Sequence, residues 1–137
     1  MTLRTLGIIA GCLLAAFGTG WCTGASGRAD LSRQVSDLTI RADVAETRAS
    51  LLDARLSLSQ ANFGDARRAV QHAQVVAERL QARLRETGRA DVAGAMQTVL
   101  TRLGDAERLS GALDATASEA AAEALRALET SVPVTGQ

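Results

Sequence analysis

The sequence predicts an all-α protein, with an N-terminal single transmembrane helix, a short linker, and a long coiled-coil-like helix that continues into a small antiparallel bundle of three to four helices. Three observations predict this class. Residues 5–23 carry no charge and are close to the roughly 20 residues that cross a bilayer as a helix. Beyond them Ala, Leu, Arg and Glu dominate, and proline occurs only at Pro133. Apolar residues there recur at helical spacing.

These patterns divide the 137 residues into four segments. They are a transmembrane signal anchor (1–23), a linker (24–29), an extracytoplasmic helical stalk and bundle (30–132), and a flexible tail (133–137). The linker is predicted from the run of small residues TGASG at 23–27, which overlaps its start.

Charge asymmetry around the apolar stretch predicts its orientation. Arg4 and the amino terminus precede it, and Arg28 is the next charge. The positive-inside bias places the amino terminus in the cytoplasm and the remaining chain in a bacterial periplasm, so the protein is expected in the inner (cytoplasmic) membrane as a single-pass protein. Trp21 and Arg4 stand where membrane-interface residues belong. Cleavage of the segment as a signal peptide and lipidation at Cys12 remain alternatives.

Small residues recur every four positions in this stretch, which would place them on one helix face. Such a face lets a second transmembrane helix approach closely. Besides the lipid bilayer, other membrane-protein subunits are therefore expected partners, although small residues are also common in apolar spans generally. The packing face comprises Gly7, Gly11, Ala15 and Thr19.

A heptad pattern follows the linker, with steps that alternate between four and three residues as in a coiled-coil seam. Arg41 and Arg48 flank it on one side, and Glu46 and Asp53 on the other. In a parallel homodimer Arg41 would face Glu46 and Arg48 would face Asp53. The alternative is a helix that packs within its own chain, and Val44, Leu51 and Leu58 form a second apolar stripe. The seam comprises Leu31, Val35, Leu38, Ala42, Ala45, Ala49, Leu52 and Leu56.

Turn and capping residues divide the rest of the chain into three further helices. Residues 62–65 break the pattern, and Gly88 supplies a C-terminal glycine. Asp91 is predicted to cap the third helix, and Thr116 with Glu119 to form a capping box for the fourth. The predicted core stripes are Ala66, Val70, Ala73, Ala77, Leu80 and Leu84; then Val92, Met96, Val99, Leu103, Ala106 and Leu113; then Ala121, Leu125, Leu128 and Val132.

The segment from Ala54 to Ala73 resembles part of a tetratricopeptide repeat. Residues 61–66 (ANFGDA) stand where that family has a small residue, an aromatic residue and an alanine that opens the second helix. The resemblance covers about twenty residues and does not recur at the family's spacing of about 34 residues. It implies a helical hairpin and an adaptor for protein–protein interaction, and no peptide-binding residue follows from it.

Composition argues against several classes of function. The formal net charge is zero and aromatic residues make up 2%, which is atypical of nucleic-acid binding. Cys12 and Cys22 both lie in the apolar stretch, and His72, the single histidine, lacks a Glu three residues before it. We therefore predict no catalytic, cofactor-binding or metal-binding residues.

The expected function is that of a non-catalytic structural or accessory subunit of a larger membrane complex. The host would be an envelope, transport, respiratory or photosynthetic assembly, reached through the transmembrane helix and the periplasmic bundle. A self-associating coiled-coil scaffold and a tetratricopeptide-like adaptor are the alternatives.

Overall fold

Four α-helices joined by short connections make up the described chain. The computed structural model describes the backbone of residues 3–132 and the side chains of residues 30–132. No strand occurs within that range, which confirms the all-helical class. The helices are α1 (Leu3–Ser59), α2 (Phe63–Glu86), α3 (Ala90–Gly111) and α4 (Ala117–Ser131).

The chain divides into two units, residues 1–37 and residues 38–137. In the first unit the backbone is helical through residues 24–29, where a linker was predicted. Helix formation is cooperative, so Gly24 and Gly27 weaken a helix by about 1 kcal/mol each relative to alanine without having to end it. The domain boundaries themselves remain predictions.

The predicted membrane segment lies outside the residues whose side chains are described. This applies to the packing face Gly7, Gly11, Ala15 and Thr19 and to the interface residues Arg4 and Trp21, while the tail 133–137 lies outside the description altogether. Among the residues that the structure describes, none of the helices has the length and apolar content that crossing a bilayer requires.

In the second unit, each helix runs antiparallel to its neighbours along the chain. Arg79 on α2 pairs with Asp43 on α1 at 2.8 Å, Gln81 on α2 donates to the carbonyl of Ala93 on α3 at 2.9 Å, and Arg102 on α3 pairs with Glu123 on α4 at 3.1 Å. An ion pair of 2.9 Å between Arg48 and Glu129 joins α1 to α4. The helices therefore form the bundle that short connections favour.

The core agrees closely with the stripes predicted for α2, α3 and α4. All six residues predicted for α2 are fully buried, and on α3 and α4 the inward side chains include Met96, Leu103 and Leu128. Val92 and Val132 are partly buried against the same cluster. Leu113 is the exception, at 68% exposed. It lies beyond the end of α3, in a left-handed conformation that turns it out of the helical register.

Three helices of this bundle end in the same way, with a residue at positive φ just after the last turn. Gly88 has φ 77°, its N–H bonds to the carbonyl of Arg85, and the next N–H bonds to the carbonyl of Leu84. This is a Schellman motif, and it confirms the predicted glycine stop. Ala61 (φ 56°) and Leu113 (φ 57°) occupy the equivalent positions after α1 and α3.

Replacing Ala61 by Gly is expected to stabilise the bundle by about 0.5–1 kcal/mol. A side chain in the left-handed region costs about 1–2 kcal/mol, and the greater freedom of glycine in the unfolded chain returns part of that gain. Urea unfolding followed by circular dichroism measures the difference. The matched control is Ala82→Gly, at an exposed position inside α2, which should lose about 1 kcal/mol. Equal effects of the two substitutions would contradict the assignment of strain to Ala61.

The predicted cap of α3 is wrong, and α4 begins after Thr116 as predicted but without the predicted capping box. Arg89 precedes α3 without a side-chain cap, and Asp91 lies in the first turn, where its charge still faces the positive end of the helix. Before α4, Thr116 makes no cap bond. Its N–H and hydroxyl both donate to Asp114, at 2.9 and 2.7 Å, and these bonds lower the pKa of that carboxyl.

Candidate functional site

Helix α1 has two distinct faces within the second unit. The inward face contributes Ile40, Val44, Leu51 and Ala54 to the core. The other face carries six residues of the predicted seam, all of them exposed, and we call it the outward stripe. At about 100° per residue the two faces lie nearly opposite each other around the helix axis. The outward stripe consists of Leu38, Ala42, Ala45, Ala49, Leu52 and Leu56.

The leucines of the outward stripe are unusually exposed. Leu38, Leu52 and Leu56 are 64%, 46% and 57% exposed. In the first unit the remaining seam residues, Leu31 and Val35, are exposed as well. The only other large hydrophobic side chains this exposed in the described range are Val75 and Leu113. The sequence left open whether the seam packs within its own chain, and in the structure the bundle does not cover it.

Opposite charges border the outward stripe. Arg41, Arg48 and Arg55 follow one edge, and Glu46 and Asp53 the other. Arg48 is engaged by Glu129 on α4. On the other edge, one oxygen of Glu46 pairs with Arg79 at 2.8 Å, and the other lies 3.0 Å from Nε2 of His72. Two of these charges, Arg48 and Glu46, therefore also join α1 to the helices beside it.

A buried carboxylate, which sequence reasoning missed, fixes the contact between α1 and α2. Asp43 is 3% exposed. Its Oδ1 accepts hydrogen bonds from Nε and Nη2 of Arg79, at 3.0 and 2.8 Å. Its Oδ2 lies 3.2 Å from Nε of Arg83, which compensates the charge without the geometry of a hydrogen bond. Hydrogen bonding and attraction to Asp43 raise the pKa of Arg79 above its ordinary value.

The sequence did carry a signal for this cluster. Arg79 and Arg83 are four residues apart on α2, and Asp43 and Glu46 are three apart on α1. Such spacings place each pair on one helix face. Only the antiparallel packing of α1 against α2 reveals that the two pairs meet.

An open polar cleft of about 350 Å³ lies between α1 and α2. Its walls include Ser57, Asp53 and His72, the kinds of residue that serve hydrolytic sites. However, His72 is directed at Glu46. Among the described residues no group of His, Cys, Asp or Glu could hold a metal ion. The prediction of no catalytic site remains a prediction.

The segment that resembles a tetratricopeptide repeat forms the hairpin between α1 and α2, with Ala66, Val70 and Ala73 fully buried. Comparison of the whole chain with protein-family models, curated proteins and solved structures finds no match. The adaptor function that this resemblance implies therefore stays a prediction.

Proposed function

We propose that this protein is a non-catalytic, membrane-anchored helical subunit that assembles through the outward stripe of α1. The observation that carries the proposal is the stripe itself, a continuous row of exposed apolar side chains on a folded bundle. Exposed apolar surface of this kind is typical of protein interaction sites. Its heptad spacing suits one class of partner, an amphipathic helix that packs alongside α1 and carries complementary charges at its edges.

The proposed anchor is residues 5–23, and it rests on their sequence alone. Their length and lack of charge suit a single bilayer crossing with the amino terminus in the cytoplasm, which places the bundle in the periplasm. The bundle would then act as a spacer or clamp at the periplasmic face of a larger membrane complex. The face Gly7, Gly11, Ala15 and Thr19 would provide a second attachment, within the bilayer.

Leu56→Glu is expected to release the protein from its assembly. Glutamate adds a charge on the outward stripe, where packing against another helix would desolvate it. The full chain should be extracted from its native membrane in mild detergent and its mass determined by native mass spectrometry. We expect at least a tenfold loss of assembled protein.

The matched control is Val75→Glu, because Val75 is a similarly exposed apolar residue, at 61%, on α2 and away from the stripe. This variant should assemble like the wild type. A wild-type protein that is monomeric after gentle extraction, or equal assembly of Leu56→Glu and wild type, would rule out the proposed function.

A further inference from the structure

We propose that the helix that covers the outward stripe is α1 of a second copy of this chain, packed parallel and in register. This inference rests on the proposed function, since it names the partner of the same surface. In such a pair Arg41 faces Glu46 of the partner subunit, and Arg48 faces Asp53 of the partner subunit.

The arrangement of charge favours the parallel orientation. In a parallel coiled coil, the residue just before one seam residue faces the residue just after the following seam residue on the partner helix. Arg41, before Ala42, therefore faces the residue after Ala45 of the other copy. Along α1 this brings the arginine edge of one copy against the acidic edge of the other. An antiparallel pair would place each edge against the same edge of its partner, so that Arg41, Arg48 and Arg55 would meet arginines. Like charges in such positions are destabilising.

The shape of the bundle leaves room for the second copy. The inward face of α1 lies on the opposite side of the helix axis, so two copies can meet along their outward stripes with both bundles on the outside. Ala42, Ala45 and Ala49 occupy the middle of the stripe, where small side chains allow two helix axes to approach closely. Leucines flank them at Leu38, Leu52 and Leu56 and supply most of the apolar area.

The ion pairs already present within the chain leave both proposed pairs possible. Each oxygen of Glu46 already has one partner, but the side chain is 42% exposed and each carboxylate oxygen can accept a second hydrogen bond. Arg48 is half-exposed while it contacts Glu129, and its guanidinium has five N–H donors. It can therefore also bind a carboxylate of the partner subunit. Asp53 is exposed, and no described residue of its own chain pairs with it. Alanine side chains bury little apolar area, so the centre of the seam contributes little to association. Anchoring both copies in one membrane would raise their effective concentration and so favour their association.

Cysteine cross-linking of the full chain in its membrane tests both the partner and the register. Cys12→Ala and Cys22→Ala remove the native thiols, and Leu38→Cys or Leu52→Cys is then added singly. A disulfide needs Cβ atoms about 3.5–4.5 Å apart. In a parallel, in-register pair each position meets itself, so mild oxidation should convert most of either variant to a disulfide-linked dimer on a non-reducing gel.

Val75→Cys in the same background is the control for random collisions. The two stripe positions are about 21 Å apart along the helix, so an antiparallel pair can form a same-residue disulfide at no more than one of them. Dimer yields no higher than the control at either position would overturn the inference. If that happens while Leu56→Glu still releases the protein from its assembly, the partner is a different chain and the proposed function stands. If Leu56→Glu is also without effect, both fail.

A charge exchange tests the edges of the pair. Arg48→Glu should lower the Leu52→Cys cross-linking rate about threefold, since a like charge then faces Asp53 of the partner subunit. Adding Asp53→Arg should restore the rate. Glu129→Gln removes the same ion pair within the chain and should leave the rate unchanged. A fall with Glu129→Gln equal to that with Arg48→Glu would show that the effect arises within the bundle, and would overturn the assigned charge pairing.

Discussion

Replacing both Arg79 and Arg83 by methionine is expected to lower the free energy of unfolding by about 3–5 kcal/mol. The two substitutions leave Asp43 buried at 3% exposure without a counter-charge. Methionine keeps much of the apolar stem of arginine, so loss of packing contributes little. Urea unfolding of the double variant, followed by circular dichroism, measures the loss.

Adding Asp43→Asn to the double variant distinguishes charge from packing. Asparagine has the same shape but no charge, so the triple variant should recover most of the lost stability. Asp43→Asn alone should have a smaller effect than the double variant, because Arg79 and Arg83 are both more than a third exposed and remain hydrated. A triple variant as unstable as the double one would show that the cost does not come from the unpaired carboxylate.

Leu51→Ala should lower the free energy of unfolding by about 2–5 kcal/mol, the range for truncating a buried leucine. Leu51 is completely buried among the side chains of the bundle core. The neighbouring residue provides the matched control, because Leu52 is 46% exposed on the outward stripe. Leu52→Ala should cost less than about 1 kcal/mol in unfolding.

In an assay of assembly, Leu52→Ala should have the larger effect of the two variants, the reverse of their order in unfolding. At temperatures where both are folded, Leu52→Ala should weaken self-association, and Leu51→Ala should leave it close to wild type. Equal losses of folding stability at the two positions would contradict the assignment of inward and outward faces on α1.

Much of the bundle could be predicted because residues close together in the sequence specify the inward face and the end of each helix. On α2, residues such as Val70 and Leu80 recur at a spacing that leaves only one plausible inward face, and Gly88 stops the helix where its missing Cβ permits a positive φ. Two helix ends were predicted wrongly because their geometry depends on backbone conformation rather than on residue type. Leu113 looked like another core position, and Thr116 looked like a cap, but a left-handed turn and the Asp114 side chain determine the local geometry.

The sequence by itself determined the helical class, the turns that separate the helices, and the existence of two apolar stripes on α1. Only the tertiary structure decided that Val44 and Leu51 face the core while Leu52 and Leu56 face outward. Both stripes satisfy helical periodicity, so periodicity alone could not show which of them faces the core. The contact between Asp43 and Arg79, 36 residues apart, holds one face of α1 against the bundle. That contact exists only once the two helices pack together, and it leaves the coiled-coil stripe exposed.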